Sequence, residues 1–161
     1  MKKAVYPGSF DPVTNGHLDV LKRACKVFDH VTLLLAVNPG KRSNFTVDQR
    51  LQMMREATAG MENVDVDFTS GLTVAYAKKA GAQHIIRGLR AVTDFEYEFQ
   101  FAAANSYVDP DIDMVFFMAG SKTSFISSST ILELHKNGAD ISSLVPPSVV
   151  RMFELAKNQP K

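Results

Sequence analysis

Cysteine is nearly absent from this chain: Cys25 is the single one among 161 residues. No disulfide can form within the chain, and a reducing cytoplasm is the expected setting. Cys25 also shares the apolar stripe of a predicted helix, which favours core packing over a nucleophilic role. No apolar run approaches the roughly 20 residues needed to cross a bilayer, so no membrane partner is expected. Two lysines follow Met1 with no long apolar stretch behind them, and no signal peptide is expected. An excess of one charge sign is lacking too. The net charge is +1, which gives no general attraction to nucleic acid. Neither G-x-x-x-x-G-K-[ST] nor G-x-G-x-x-G occurs, so the P-loop and the usual dinucleotide fingerprint are excluded. There is no internal repeat and no low-complexity linker. With 45% hydrophobic and 22% charged residues, the composition fits one globular domain over residues 1–161, its C-terminal helix (148–157) packed on the rest.

What is present is an alternation of strand and helix. The run Val31 to Val37 is almost wholly apolar, as a strand covered on both faces should be. Ala4 to Tyr6, Val64 to Phe68, Gln83 to Arg87 and Ile112 to Met118 read as further strands. Leu18, Leu21, Cys25 and Phe28 share a face of a helix starting near Asn15. Thr46 and Gln49 form a capping box for a second helix, ending near Ala59. Leu72 to Lys79 reads as a third, stopped by Gly81. Asp94 to Tyr107, Ser128 to Lys136 and Ser148 to Lys157 complete the set. The pattern predicts an α/β fold: a Rossmann-like, doubly wound, five-stranded parallel sheet with helices on both faces. Asp94 to Tyr107 is apolar on two faces (Phe95, Phe99, Ala102; Tyr97, Phe101, Ala104, Val108), which predicts burial in the core or against a neighbouring subunit, the subunit being favoured.

Ligands of such sheets sit beyond the carboxyl ends of the strands. The most informative loop there is Y-P-G-S-F-D-P-V-T-N-G-H, Tyr6 to His17. A glycine turn between a strand and a helix gathers backbone N–H groups and a helix N-terminus, the combination that binds phosphate. Other loops add Lys41 and Arg42, R-G-L-R (Arg87 to Arg90) followed by Asp94 to Glu98, and T-S-F-I-S-S-S (Thr123 to Ser129). Each has a plain alternative. A histidine at a helix start can be a surface residue, the lysine and arginines can be solvated charges, and the serines can merely cap a helix. Convergence of all of them on one edge of the sheet describes a polyphosphate cradle.

T-N-G-H at Thr14 to His17 resembles the T/H-x-G-H nucleotidyltransferase superfamily. The order Y-P-G-S-F-D-P, R-G-L-R-A-V-T-D-F-E-Y-E and S-F-I-S-S-S, covering Lys3 to about Lys157, is similar to the bacterial phosphopantetheine adenylyltransferases. The resemblance implies transfer of AMP from ATP to 4′-phosphopantetheine, giving dephospho-coenzyme A and pyrophosphate. It implies His17, Lys41 and Arg90 as catalytic residues. It implies an ATP site of Ser9, Phe10, His17, Gly88, Leu89, Arg90, Glu98, Thr123, Ser124, Phe125, Ile126, Ser127, Ser128 and Ser129, and an acceptor site of Ser9, Lys41, Thr73 and Arg87. Mg²⁺ is implied as cofactor with no dedicated protein ligands, coenzyme A as feedback inhibitor, and a homohexamer as the assembly. Three positions depart from the pattern: Ser9 stands where threonine is commoner, Thr123 replaces an aromatic residue, and Leu132 replaces a basic one. Two other readings remain open: a nucleotidyltransferase for nicotinamide mononucleotide or glycerol phosphate, and a non-catalytic nucleotide-binding module such as an electron-transfer flavoprotein subunit. R-G-L-R joined to D-F-E-Y-E speaks against the first, and His17 with Lys41, Arg87 and Arg90 against the second.

Overall fold

Five strands hydrogen-bond in the order β3-β2-β1-β4-β5, all parallel. They are β1 (Lys3–Gly8), β2 (His30–Ala36), β3 (Val64–Thr69), β4 (His84–Leu89) and β5 (Asp113–Met118). Between and after them lie α1 (Asn15–Ala24), α2 (Val47–Thr58), α3 (Thr73–Lys79), α4 (Val92–Val108), α5 (Ser128–Lys136) and α6 (Pro147–Lys157). The computed structural model describes residues 1–158, with the side chains of residues 92 and 93 outside that description.

Successive residues of a strand face opposite sides of the sheet, and here they enter two separate cores. Ala4, Tyr6, Leu33, Leu35 and Ile86 join α1, α2, α5 and α6 on one face, with Leu21, Met53, Met54, Ile131 and Val149 fully enclosed. Val5, Leu34 and Ile85 pack with Val74 and Ala77 of α3 on the other. This is why β2 is apolar without alternation: both of its faces are covered. Each enclosed aliphatic side chain contributes about 1.5–3 kcal/mol relative to exposure.

Helix starts follow local chemistry. At α2 the Thr46 hydroxyl accepts from the Gln49 N–H at 3.2 Å, and the Gln49 side chain accepts from the Thr46 N–H at 2.9 Å, the expected capping box. After α3, Gly81 adopts φ 68°, the left-handed conformation that ends helices and favours glycine. The strand order reverses between β1 and β4, which opens a crevice at their carboxyl ends.

The long helix α4 does not lie deep in the core. Among its described residues the buried ones are the polar Glu98 and Asn105, while Phe95, Tyr97, Phe99 and Tyr107 are more than half exposed. The two-faced apolar pattern therefore marks a surface on this chain, not an interior helix. No helix among the described residues is long and apolar enough to cross a membrane.

Candidate active site

The crevice at the switch point is a cavity of about 370 Å³. Its walls come from the turn after β1 (Ser9, Phe10), the first turn of α1 (Gly16, His17), the end of β4 (Arg87, Gly88, Arg90), α4 (Glu98) and the loop into α5 (Thr123, Ile126 to Ser129).

The turn after β1 is held in an unusual shape. Phe10 has φ 41°, a left-handed conformation rare for a residue with a side chain. Its ring is 1% exposed and stands edge-on to Tyr6 and His17, at 5.6 and 4.9 Å between centroids. Burial of that ring offsets the strain. A Cβ on Gly8 would stand 3.0 Å from the same ring, so glycine is needed to let Phe10 fold back over the strand end. The Ser9 carbonyl accepts from Arg50 at 3.0 Å, a buried guanidinium on α2.

His17 occupies the third position of α1, and its ring completes a capping box. The Thr14 hydroxyl accepts from the His17 N–H at 3.3 Å, while His17 Nδ1 accepts from the Thr14 N–H at 3.0 Å. A backbone N–H is always a donor, so Nδ1 must be the bare nitrogen and Nε2 must carry the proton of the neutral ring. Burial, reinforced by the Arg90 and Arg87 charges, pushes the imidazole down to about 4. At neutral pH His17 is thus an uncharged N–H donor in the cleft, a poor base, and fixed in tautomer by T-N-G-H itself.

Arg87 is gripped from three sides. Its Nε and Nη2 donate to the Glu98 carboxylate at 2.9 and 2.6 Å, and Nη1 donates to the Pro7 carbonyl at 3.0 Å. Its guanidinium also stands over the Phe101 ring at 5.3 Å. Burial opposes the charge, but the Glu98 carboxylate outweighs it and holds Arg87 protonated. Arg90 is more exposed. Its Nε lies 3.4 Å from the Asp94 carboxylate, whose Oδ2 also accepts from the Arg90 N–H at 3.1 Å.

The loop into α5 is tied to the first turn. Ser128 Oγ donates to the Pro12 carbonyl at 2.8 Å, and Ser127 Oγ caps the helix by accepting from the Thr130 N–H at 3.1 Å. The first intrahelical bond runs from the Ile131 N–H to the Ser127 carbonyl at 3.0 Å. The N–H groups of Ser128 and Ser129 precede it, at the positive end of the helix, beside the cleft. Leu132 packs against the core, not the cleft, and the Thr123 hydroxyl donates to the Gly120 carbonyl at 3.3 Å within its own loop.

Not every residue named from the sequence lines this cavity. Ser9, Phe10, His17, Arg87, Gly88, Arg90, Glu98, Thr123, Ile126, Ser127, Ser128 and Ser129 do; Leu89, Ser124 and the exposed Phe125 do not. Lys41 and Thr73 stand apart, next to a shallower concavity between the ends of β2 and β3, lined by Val37, Asn38, Gly71 and Leu72 among others. Eight lining residues are not among the site residues named from the sequence: Tyr6, Pro7, Gly8, Gly16, Val20, Asp94, Tyr97 and Ala119. Tyr6 carried a signal in its place one residue before the glycine turn, but a strand reading absorbed it.

Asp11 was also missed. Its Oδ2 accepts from the Asn44 N–H and side-chain amide at 2.7 and 3.0 Å, and Oδ1 accepts from the Phe45 N–H at 2.9 Å. One carboxylate thereby ties the loop bearing Lys41 to the Phe10 turn. Asp11→Asn keeps the size but cannot accept on both sides. If, as the resemblance implies, the Lys41 loop holds the acceptor, acceptor KM is expected to rise roughly 3–10-fold with ATP KM little changed. Equal changes in both would show that Asp11 does not set the Lys41 loop.

Among the described residues there is no group of three or more His, Cys, Asp or Glu side chains placed to hold a metal ion. The two carboxylates in the cleft, Asp94 and Glu98, face arginines.

Comparison with known proteins agrees with this geometry. The cytidylyltransferase-like family model matches residues 5–134. A phosphopantetheine adenylyltransferase of Desulforudis audaxviator (strain MP104C) is 49% identical over 153 residues, which cover 95% of this chain and 94% of the relative. The chain therefore belongs to the cytidylyltransferase-like family, among its phosphopantetheine adenylyltransferases.

Proposed function

We propose that this chain transfers the adenylyl group of ATP to the phosphate of 4′-phosphopantetheine, giving dephospho-coenzyme A and pyrophosphate. The observation that carries the reading is His17: a neutral imidazole with its Nε2 proton fixed by the Thr14 backbone, at the floor of a cleft walled by Arg87, Arg90 and the start of α5. A phosphate oxygen of the acceptor attacks the α-phosphorus. The bond from that phosphorus to the α,β-bridging oxygen breaks, and pyrophosphate leaves with the electron pair. The nucleophile is already anionic, so no general base is needed, which suits a histidine too weakly basic to act as one. His17 donates its Nε2 proton in a hydrogen bond to a non-bridging α-oxygen, where charge builds in the transition state.

The other residues position and neutralise. Arg90 reaches the nucleotide phosphates, with Gly88 and Leu89 contributing backbone and Glu98 closing the wall. Ser9 and Phe10 line the turn against the nucleotide, and Ser9 also faces the acceptor phosphate. Thr123 to Ser129 close over the β- and γ-phosphates. There Ser128 acts through its N–H, because its hydroxyl is donated to Pro12. Lys41 and Arg87 hold the acceptor phosphate, and Lys41 follows charge onto the α-phosphate. The concavity at the ends of β2 and β3, beside Thr73, receives the pantetheine arm. Mg²⁺ would arrive on the nucleotide phosphates, held by them and by water, and it supplies charge neutralisation there. The exposed aromatic face of α4 fits a homohexamer interface, coenzyme A fits the same cleft as a feedback inhibitor, and the single cysteine fits the cytoplasm.

The test is a pyrophosphate-release assay with ATP, Mg²⁺ and a panel of acceptors. Release with phosphopantetheine alone is expected. Release with nicotinamide mononucleotide or glycerol 3-phosphate in its place would overturn the assignment.

A further inference from the structure

The hydroxyl of Tyr6 is a polar group lining the cleft that the roles above leave unused. Tyr6 lies on β1, the central strand, and is 5% exposed. Its ring is held edge-on by Phe10 at 5.6 Å and sits in the core cluster with Leu33 and Ile86. Its hydroxyl lies 3.9 Å from where a Cβ on Gly88 would stand, in the segment between Arg87 and Arg90 that lines the same cavity. A buried phenol ordinarily hydrogen-bonds to a protein partner. This one makes no side-chain hydrogen bond to any described residue, and Tyr6 lines the cavity together with His17, Arg87 and Arg90. The oxygen is not among the enclosed polar atoms left without a partner, so it opens onto the cavity, where a ligand can supply the acceptor.

On the reading of the cleft as an ATP site, we infer that the Tyr6 hydroxyl donates a hydrogen bond to an oxygen of the bound nucleotide, on its ribose or on its phosphates. The phenol suits this task over the whole working pH range. Burial raises its pKa far above the ordinary tyrosine value, outweighing the opposing pull of Arg87 and Arg90, so the proton stays on. Neutral donors beside Arg90 add to anion or hydroxyl binding without the repulsion a third cation would bring. The aromatic body meanwhile fixes the hydroxyl in place, so little side-chain freedom is lost on binding.

Tyr6→Phe removes one oxygen and leaves the ring. Titration calorimetry of the full chain with ATP should show binding weakened about 3–10-fold relative to the unsubstituted protein. Affinity for phosphopantetheine and the ligand-free melting temperature should stay within error, because the hydroxyl has no side-chain partner to lose. Equal ATP affinity for the two proteins overturns the inference, as does a lowered melting temperature with ATP affinity intact, which would mark a packing role. Repeating the titration with 2′-deoxy-ATP and 3′-deoxy-ATP separates the two sources. If the difference between the proteins vanishes with either analogue, the partner is a ribose hydroxyl; if it persists with both, the partner is a phosphate oxygen. Failure of the unsubstituted protein to bind ATP would instead refute the nucleotide reading itself, which keeps the two failures apart.

Discussion

Replacing His17 with alanine is expected to lower kcat by about 10²-fold or more while ATP binding changes only a few-fold, the size found for losing one preorganised donor at a developing charge. The loss should appear in kcat because the interaction strengthens only as charge moves onto the α-oxygens. The ring also accepts the Thr14 N–H at 3.0 Å, so alanine strips half of a capping box and should cost about 1 kcal/mol of stability. His17→Gln separates the two effects. Glutamine at this position restores the cap by folding back onto Thr14, but it cannot also present a rigid N–H to the cleft. Stability should recover while kcat stays at least 10-fold down. An alanine variant with unchanged kcat would exclude the role.

The same residue fixes an acid limb. In the unfolded chain its imidazole titrates near 6.5, and in the fold near 4. Between those values the unfolded state takes up a proton that the folded state refuses. The stability contribution is therefore fully present above pH 6.5 and is lost as pH falls toward 4, by at most on the order of 3 kcal/mol. Urea midpoints at pH 7 and pH 5 should draw closer together in His17→Gln than in the unsubstituted chain. An identical pH dependence in both would show that His17 does not carry this limb.

Arg87→Ala should reduce kcat/KM for phosphopantetheine by about 10²-fold, as expected for truncating one member of a desolvated charge contact. Affinity for pantetheine without its phosphate should barely change. If the variant still distinguishes the two compounds as the unsubstituted protein does, Arg87 does not read that phosphate. The structure adds a second consequence. Arg87 and Glu98 form a forked pair with Glu98 only 5% exposed, so removing the arginine strands a carboxylate and should cost about 3 kcal/mol at neutral pH. Glu98→Gln keeps the shape but weakens the fork. It should raise the acceptor KM more than it lowers kcat, because Arg87 loses its fixed orientation. Lysine at position 87 should not rescue, since an ammonium cannot reproduce the planar two-point grip.

The elements were legible where sequence period and caps agreed. The apolar run of β2, the Thr46–Gln49 box of α2 and the Gly81 stop of α3 appear where the pattern put them, with strand ends shifted by a residue or two. Those features are local: a cap, a turn and a covered strand each act within a few residues. Helix α4 was harder. Its periodicity showed two apolar faces but not which residues would be inside, and the fold buries Glu98 and Asn105 while leaving Phe95, Tyr97, Phe99 and Tyr107 outside. The burial of Glu98 goes with Arg87, eleven positions away on another element, and no helical period encodes that pairing. Ser9, Phe10, His17, Arg87, Gly88, Arg90 and Ile126 to Ser129, named from the sequence, line one cleft, whereas Tyr6, Asp11 and Asp94 were not named, because their partners come from other segments or from a ligand.

By itself the order of residues determined the alternation of strands and helices, the phosphate-directed turn, and, through Thr14 three places before His17, which ring nitrogen bears the proton. It could do so because hydrogen bonds between near neighbours need no knowledge of the rest of the chain. Only the folded arrangement decided that β1 and β4 are adjacent, that Arg87 is clamped by Glu98, and that burial beside two guanidiniums strips the imidazole of its basicity. Those properties arise from desolvation and from charges brought within a few ångströms by strands some 80 residues apart.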